Sequence, residues 1–169
     1  MYVINRKEVN KMTVKEKTIY FDMDGTIADL YAVDGWLYDL THNIPRPYAE
    51  AVPMLNMSLF ARYLNQLRRL GYNLGIVSWL SKVSDKEYDE AVTEIKLKWL
   101  RVHLKSVIFD EIHIVKYGTP KQEIVDNPLG ILFDDEENNR ENWSGQAFNV
   151  DDILGTLKSL IEMEKISNG

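Results

Sequence analysis

The sequence contains no cysteine, so it has no disulfide framework, no thiolate nucleophile and no zinc-thiolate site. It has no apolar run long enough to cross a membrane. Met1 to Lys17 is polar and charged where a secretory signal would need an apolar stretch. Positive charge is the scarcer sign: 20 basic residues against 26 acidic ones leave a formal charge of −6. That balance argues against a general nucleic-acid surface and leaves room for a local basic pocket. The histidines, His42, His103 and His113, show no ligand spacing and read as structural. There is no internal repeat and no low-complexity linker. A soluble, cytoplasmic protein is the expectation.

What is present suffices for one sizeable core. The 169 residues are 45% hydrophobic and 27% charged, and length favours a single domain. Residues 1–16 carry charge without periodicity and are expected to form a loosely docked leader, with Met12 as an alternative start. Residues 17–169 then make the domain. Thr18-Ile19-Tyr20-Phe21 is a short β-favouring apolar run that stops abruptly at an acidic, glycine-containing turn, as a buried parallel strand does. Asn56 to Leu70 has helical spacing and ends at Gly71, before a second buried strand at Asn73 to Val77. Ser78 stands at its carboxyl end.

Ser84 to His103 is the longest helical pattern, with Ala91, Ile95, Leu97, Trp99 and Leu100 as its apolar residues. Ser84 and Glu87 fit a capping box at its start. Val107 to Val115 offers a third strand, with an interruption at Asp110-Glu111 as the alternative, and Thr119-Pro120 opens a short helix over Lys121 to Val125. Ile131-Leu132-Phe133 is the fourth strand, ending in Asp134-Asp135. A polar helix from Glu136 to Trp143, a short strand at Gln146 to Val150 and a closing helix from Asp152 to Ile161 follow. Strands alternating with helices predict an α/β fold: a three-layer, Rossmann-like parallel sheet of about five strands with helices on both faces.

In such a sheet, ligands bind outside the carboxyl ends of the strands. The residues there are Asp22, Asp24, Ser78, Asp134 and Asp135, with Lys121 nearby. Clustered carboxylates repel one another without a cation, and Mg²⁺ favours hard oxygen ligands that it can bridge to a phosphate. The acidic cluster therefore predicts a metal.

These residues resemble the haloacid dehalogenase-like superfamily. Its phosphatases carry a D-x-D-G-T/V loop, a serine or threonine after the second strand, a later lysine and a terminal acidic pair. Asp22-Met23-Asp24-Gly25-Thr26, Ser78, Lys121 and Asp134-Asp135 appear in that order, and the resemblance spans roughly residues 18 to 155. It implies a magnesium-dependent phosphomonoester hydrolase. Asp22 would be the nucleophile that forms an aspartyl phosphate, and Asp24 the general acid and base. Asp22, the backbone carbonyl of Asp24 and either Asp134 or Asp135 would hold Mg²⁺. Thr26, Ser78 and Lys121 would serve the phosphate, Thr26 also bonding within the turn and Lys121 offsetting charge. Lys116 competes for the basic role, but Lys121 begins the helix immediately before the fourth strand. Glu136, Glu137, Asn138 and Asn139 read as a solvated helix face, the alternative being that one orients a metal-bound water.

Residues 29–53 leave room for a small cap-like insert, rich in aromatics. Trp36 and Trp79 are candidates to stack on a nucleobase, and packing of Trp36, Leu37 and Leu40 onto the core is the competing reading. The substrate would be a small phosphoester, a nucleotide or a nucleic-acid end among the candidates. The spelling also resembles the deoxyribonucleotidase-like branch, although that branch has a larger cap. A phospho-signalling receiver is excluded by order, since its acidic pair follows the first strand and its lysine comes last. A binding or regulatory protein that retains the scaffold without turnover is the alternative function.

Overall fold

The computed structural model describes residues 17–169, so the leader expected over residues 1–16 lies outside the described part. In chain order the elements begin with β1 (Thr18–Phe21), β2 (Ala28–Asp29), a 3₁₀ turn (Leu30–Ala32), α1 (Trp36–Thr41), α2 (Arg46–Glu50) and β3 (Val52–Pro53). They continue with α3 (Met57–Arg69), β4 (Asn73–Trp79), α4 (Lys86–His103), β5 (Glu111–Val115) and α5 (Lys121–Ile124). The chain closes with β6 (Ile131–Phe133), α6 (Glu137–Asn142), β7 (Ala147–Phe148), a second 3₁₀ turn (Val150–Asp152) and α7 (Ile153–Ser167). No helix of the described residues is long and apolar enough to cross a membrane.

Five strands form one parallel sheet in the order β5-β4-β1-β6-β7. The α/β architecture expected from the sequence is therefore the one observed. β1 lies in the middle because its four residues are all buried and both of its edges are paired. Its side chains alternate between faces. Ile19 and Phe21 join Leu74, Ile76, Ile131 and Phe133 against Phe60, Leu64 and Leu67 of α3 and Ile153, Leu157 and Ile161 of α7. Tyr20 turns to the other face with Val77 and Leu132, against Val125 and Trp143. Phe21 stacks on Phe133 at 5.2 Å and meets Phe60 edge-on at 5.1 Å, which fixes the backbone directly before Asp22.

Several boundaries differ from the sequence reading, among them β4, which runs through Ser78 to Trp79 instead of ending at Val77. α4 is capped by Asp85, whose side chain accepts from Tyr88 N at 2.8 Å, so the cap sits one residue after Ser84. The third strand starts only at Glu111, because Asp110 closes the ladder: its carboxylate accepts from Leu74 N at 2.8 Å and from Arg68 at 2.6 Å. α7 runs on to Ser167, anchored through Glu164, which accepts from Lys17 at 3.0 Å and from Tyr72 at 3.1 Å.

The segment between β1 and α3 folds as a small unit. β2 and β3 pair antiparallel at its base, Ala28 opposite Pro53, with α1 and α2 between them. Trp99 of α4 donates to Ala51 O at 2.7 Å and ties this base to the core.

Candidate active site

The strand order places the carboxyl ends of β1, β4 and β6 side by side. Asp22 N donates to Phe133 O at 2.9 Å, so the chain just past β1 stays in register with the end of β6. Carboxylate oxygens of Asp22, Asp134 and Asp135 consequently lie within 4.8 Å of one another. Three hard-oxygen donors with excess negative charge suit a divalent cation such as Mg²⁺. Between β1 and β2 the chain turns tightly: Met23 O accepts from Thr26, Ile27 and Ala28 N, while Asp24 O accepts no hydrogen bond among the described residues. Gly25 has φ +74°, and a Cβ there would collide with the Asp135 carboxylate and the Tyr31 ring. Only glycine fits that corner.

Lys121 is buried at 2% exposure and donates to Asp22 Oδ1 at 2.9 Å and to Asp134 Oδ2 at 2.6 Å. Burial alone would lower the pKa of its ammonium, but the two carboxylates outweigh it and raise that pKa. Asp134 is saturated: Oδ1 accepts from Glu136 N at 2.9 Å, and Oδ2 accepts from Asn139 at 3.1 Å as well as from Lys121. Asp135 is less engaged. Its Oδ1 meets the Thr26 hydroxyl at 3.3 Å, and Oδ2 takes no hydrogen bond among the described residues. Burial, reinforced by the charge of Asp22, pushes Asp134 up to about 6 and Asp135 up to about 7. A cation among these oxygens would oppose both shifts.

Three expectations change with the geometry, and one preference agrees with it. Thr26 braces the carboxylates, with Asp22 Oδ2 also at 3.3 Å, and does not line the cavity in front of them. Ser78 is fully buried inside β4 and likewise does not reach that cavity. Asn139 is buried against Asp134 instead of belonging to a solvated face. Lys116 stays outside the carboxylate cavity, so its competition with Lys121 is resolved by position.

A residue that the sequence reading missed completes the arrangement. Lys96 of α4 is 1% exposed and donates to Asp24 Oδ2 at 2.6 Å, Ser78 Oγ at 2.8 Å and Trp79 O at 2.7 Å. Its three ammonium protons are all engaged, as a buried cation requires. The signal was available: Lys96 lies four residues after Val92 and four before Leu100, both buried, which puts it on the inward stripe. Burial pushes the Asp24 carboxyl up, against the pull of Lys96.

In front of the carboxylates is a cavity of about 520 Å³. Asp22, Asp24, Lys121 and Asp135 form its acidic end, and Tyr31, Trp36, Tyr48, Trp79 and Tyr117 its aromatic walls. Trp79 is held by a bond from its indole to Thr119 O at 2.8 Å, and Trp36 meets Tyr31 edge-on at 4.9 Å. The insert helix α1 buries only Asp39, and its Trp36, Leu37 and Leu40 line the cavity.

The five-stranded parallel sheet, with an acidic cluster on its carboxyl rim, makes this an α/β protein. No protein-family model and no curated protein matches the sequence. Among solved structures, a HAD-like phosphatase from Mesorhizobium loti superposes with TM-score 0.55 at 16% identity, over 88% of this chain and 87% of that one. D,D-heptose 1,7-bisphosphate phosphatase from Burkholderia thailandensis gives TM-score 0.49 at 13% identity, over 86% and 99% of the two chains. The chain has the haloacid dehalogenase-like fold.

Proposed function

We propose that the protein is a magnesium-dependent phosphomonoesterase acting through an aspartyl phosphate, with a nucleoside monophosphate as substrate. The observation that carries the reaction is the trio Asp22, Asp134 and Asp135, the first two bridged by Lys121, with Asp24 opening onto the same cavity. Asp22, Asp135 and the Asp24 carbonyl would hold the metal. Asp135 would be the direct carboxylate of the terminal pair, since Asp134 is the more heavily hydrogen-bonded of the two. Bound there, Mg²⁺ would neutralise these carboxylates and polarise the phosphoryl group.

An Asp22 oxygen attacks phosphorus as the P–O bond to the leaving alcohol breaks, and Asp24 gives its proton to the departing oxygen. Asp24 then takes a proton from water while the water oxygen bonds to phosphorus. The acyl-phosphate P–O bond breaks, regenerating Asp22 and releasing inorganic phosphate. Lys121 orients Asp22 and offsets charge on the phosphoryl oxygens.

The aromatic walls favour a planar leaving group that stacks on Trp36 or Trp79. Among the described residues, Lys82 is the only basic one lining the cavity besides the committed Lys121. A polynucleotide would demand a track of such cations, so a single nucleotide fits better than a nucleic-acid end. The test is Mg²⁺-dependent phosphate release from p-nitrophenyl phosphate, lost in Asp22→Asn; full activity in that variant refutes the mechanism. Trp79→Ala should raise KM for a nucleoside monophosphate about 5- to 100-fold, the worth of one base stack. An unchanged KM refutes the substrate assignment.

A further inference from the structure

Asp24 is two residues from Asp22, yet it is not part of the metal-ready carboxylate trio. The reason lies across the sheet. One oxygen, Oδ2, is gripped by Lys96, while Oδ1 takes no hydrogen bond among the described residues and the residue lines the cavity. Lys96 itself does not line the cavity and cannot touch a substrate there. Its other two protons go to β4, to Ser78 Oγ and the Trp79 carbonyl. A flexible four-carbon side chain is thereby fixed at both ends: its stem on α4 between Val92 and Leu100, its head on β4.

We infer that Lys96 is a positioning residue for Asp24, holding that carboxyl away from the metal and aimed at the leaving-group oxygen, with Ser78 serving as its anchor. The inference rests on the proposed phosphatase reading of the site. In the first displacement, which kcat/KM reports, Asp24 matters only when the leaving oxygen needs a proton. A lysine that acts solely through Asp24 must therefore be needed for poor leaving groups and dispensable for good ones.

The experiment compares wild type, Lys96→Met, Asp24→Asn and the double variant on two esters with Mg²⁺. One is a nucleoside 5′-monophosphate, whose leaving group is an alkoxide. The other is 2,4-dinitrophenyl phosphate, whose phenolate departs unprotonated. Lys96→Met should lose about 100-fold in kcat/KM on the alkyl ester, the usual scale of general acid catalysis, and less than about fivefold in kcat/KM on the aryl ester. Its Mg²⁺ affinity by calorimetry should stay within about threefold of wild type, because the trio is untouched. The double variant should be no slower than Asp24→Asn, since residues acting as a unit are not additive.

Equal loss on both esters with intact Mg²⁺ binding overturns the inference, as does a further tenfold loss in the double variant. If Lys96→Met fails to fold, the comparison of Asp24→Asn with the double variant decides alone, because the double variant removes both charges of the pair together. A wild type that releases phosphate from neither ester refutes the phosphatase reading, and this inference falls with it.

Discussion

Replacing Lys121 with methionine removes one charge and leaves the shape of the side chain nearly unchanged. In the native protein that ammonium is buried with Asp22 and Asp134, to which it donates at 2.9 and 2.6 Å. Hydrogen bonds to charged groups contribute about 1.5–3 kcal/mol each, and breaking a buried ion pair by removing one partner costs about 3–5 kcal/mol. The two routes agree, so the metal-free variant should lose about 3–5 kcal/mol at pH 8, or about 6–20 °C in Tm for a domain of this size.

The loss carries a pH signature. Asp134 and Asp135 have folded pKa values raised to about 6 and about 7 by burial and by Asp22. The native state therefore binds more protons than the unfolded chain between about pH 4 and pH 7, and metal-free stability falls as pH rises through that window. Without Lys121 the Asp134 carboxyl is pushed further up, so the fall extends to higher pH. The difference between variant and wild type should be largest at pH 8, smaller at pH 5, and partly recovered at either pH by saturating Mg²⁺. Urea titrations at both pH values, with Mg²⁺ and with chelator, make the measurement. A metal-free loss below about 1 kcal/mol at pH 8, the scale of an exposed pair, would refute the idea that this lysine is what makes the carboxylate cluster tolerable.

Gly25→Ala should lower stability by at least about 1–2 kcal/mol from its left-handed backbone alone. It should also weaken Mg²⁺ binding in calorimetry, because the new methyl meets the Asp135 carboxylate. Asp85→Ala should cost about 1 kcal/mol in thermal melts, as lost helix caps do. Ser84→Ala should stay within about 0.5 kcal/mol, the range of surface changes away from such features.

The sheet was legible in the sequence because its strands are short apolar runs cut off by acidic or glycine turns, and parallel strands must be apolar on both faces. The order of Asp22, Asp24, Lys121 and Asp134-Asp135 along the chain sufficed to place them on one rim. What escaped is instructive. Both Ser84 and Asp85 are good caps with a glutamate or tyrosine three residues on, and local chemistry does not separate two starts one residue apart. Val107 to Phe109 is apolar enough for a strand, but the tertiary bonds of Asp110 to Leu74 and Arg68 decide where pairing begins. Lysine usually points outward, so the apolar pattern alone does not mark Lys96. Ala91, Ile95 and Leu97, which that pattern puts on the inward face, are only half-buried. Only the partners contributed by β1 and β4 make a cation tenable there.

Trp79 bears on how such a site can diversify. Lys96 grips its backbone carbonyl, whereas its indole faces the cavity. The peptide unit present at every position supports the acid-base apparatus, and the variable ring shapes the compartment for the leaving group. Position 79 is thus a place where substrate preference can drift, or be engineered, through substitutions that leave the grip on Asp24 intact.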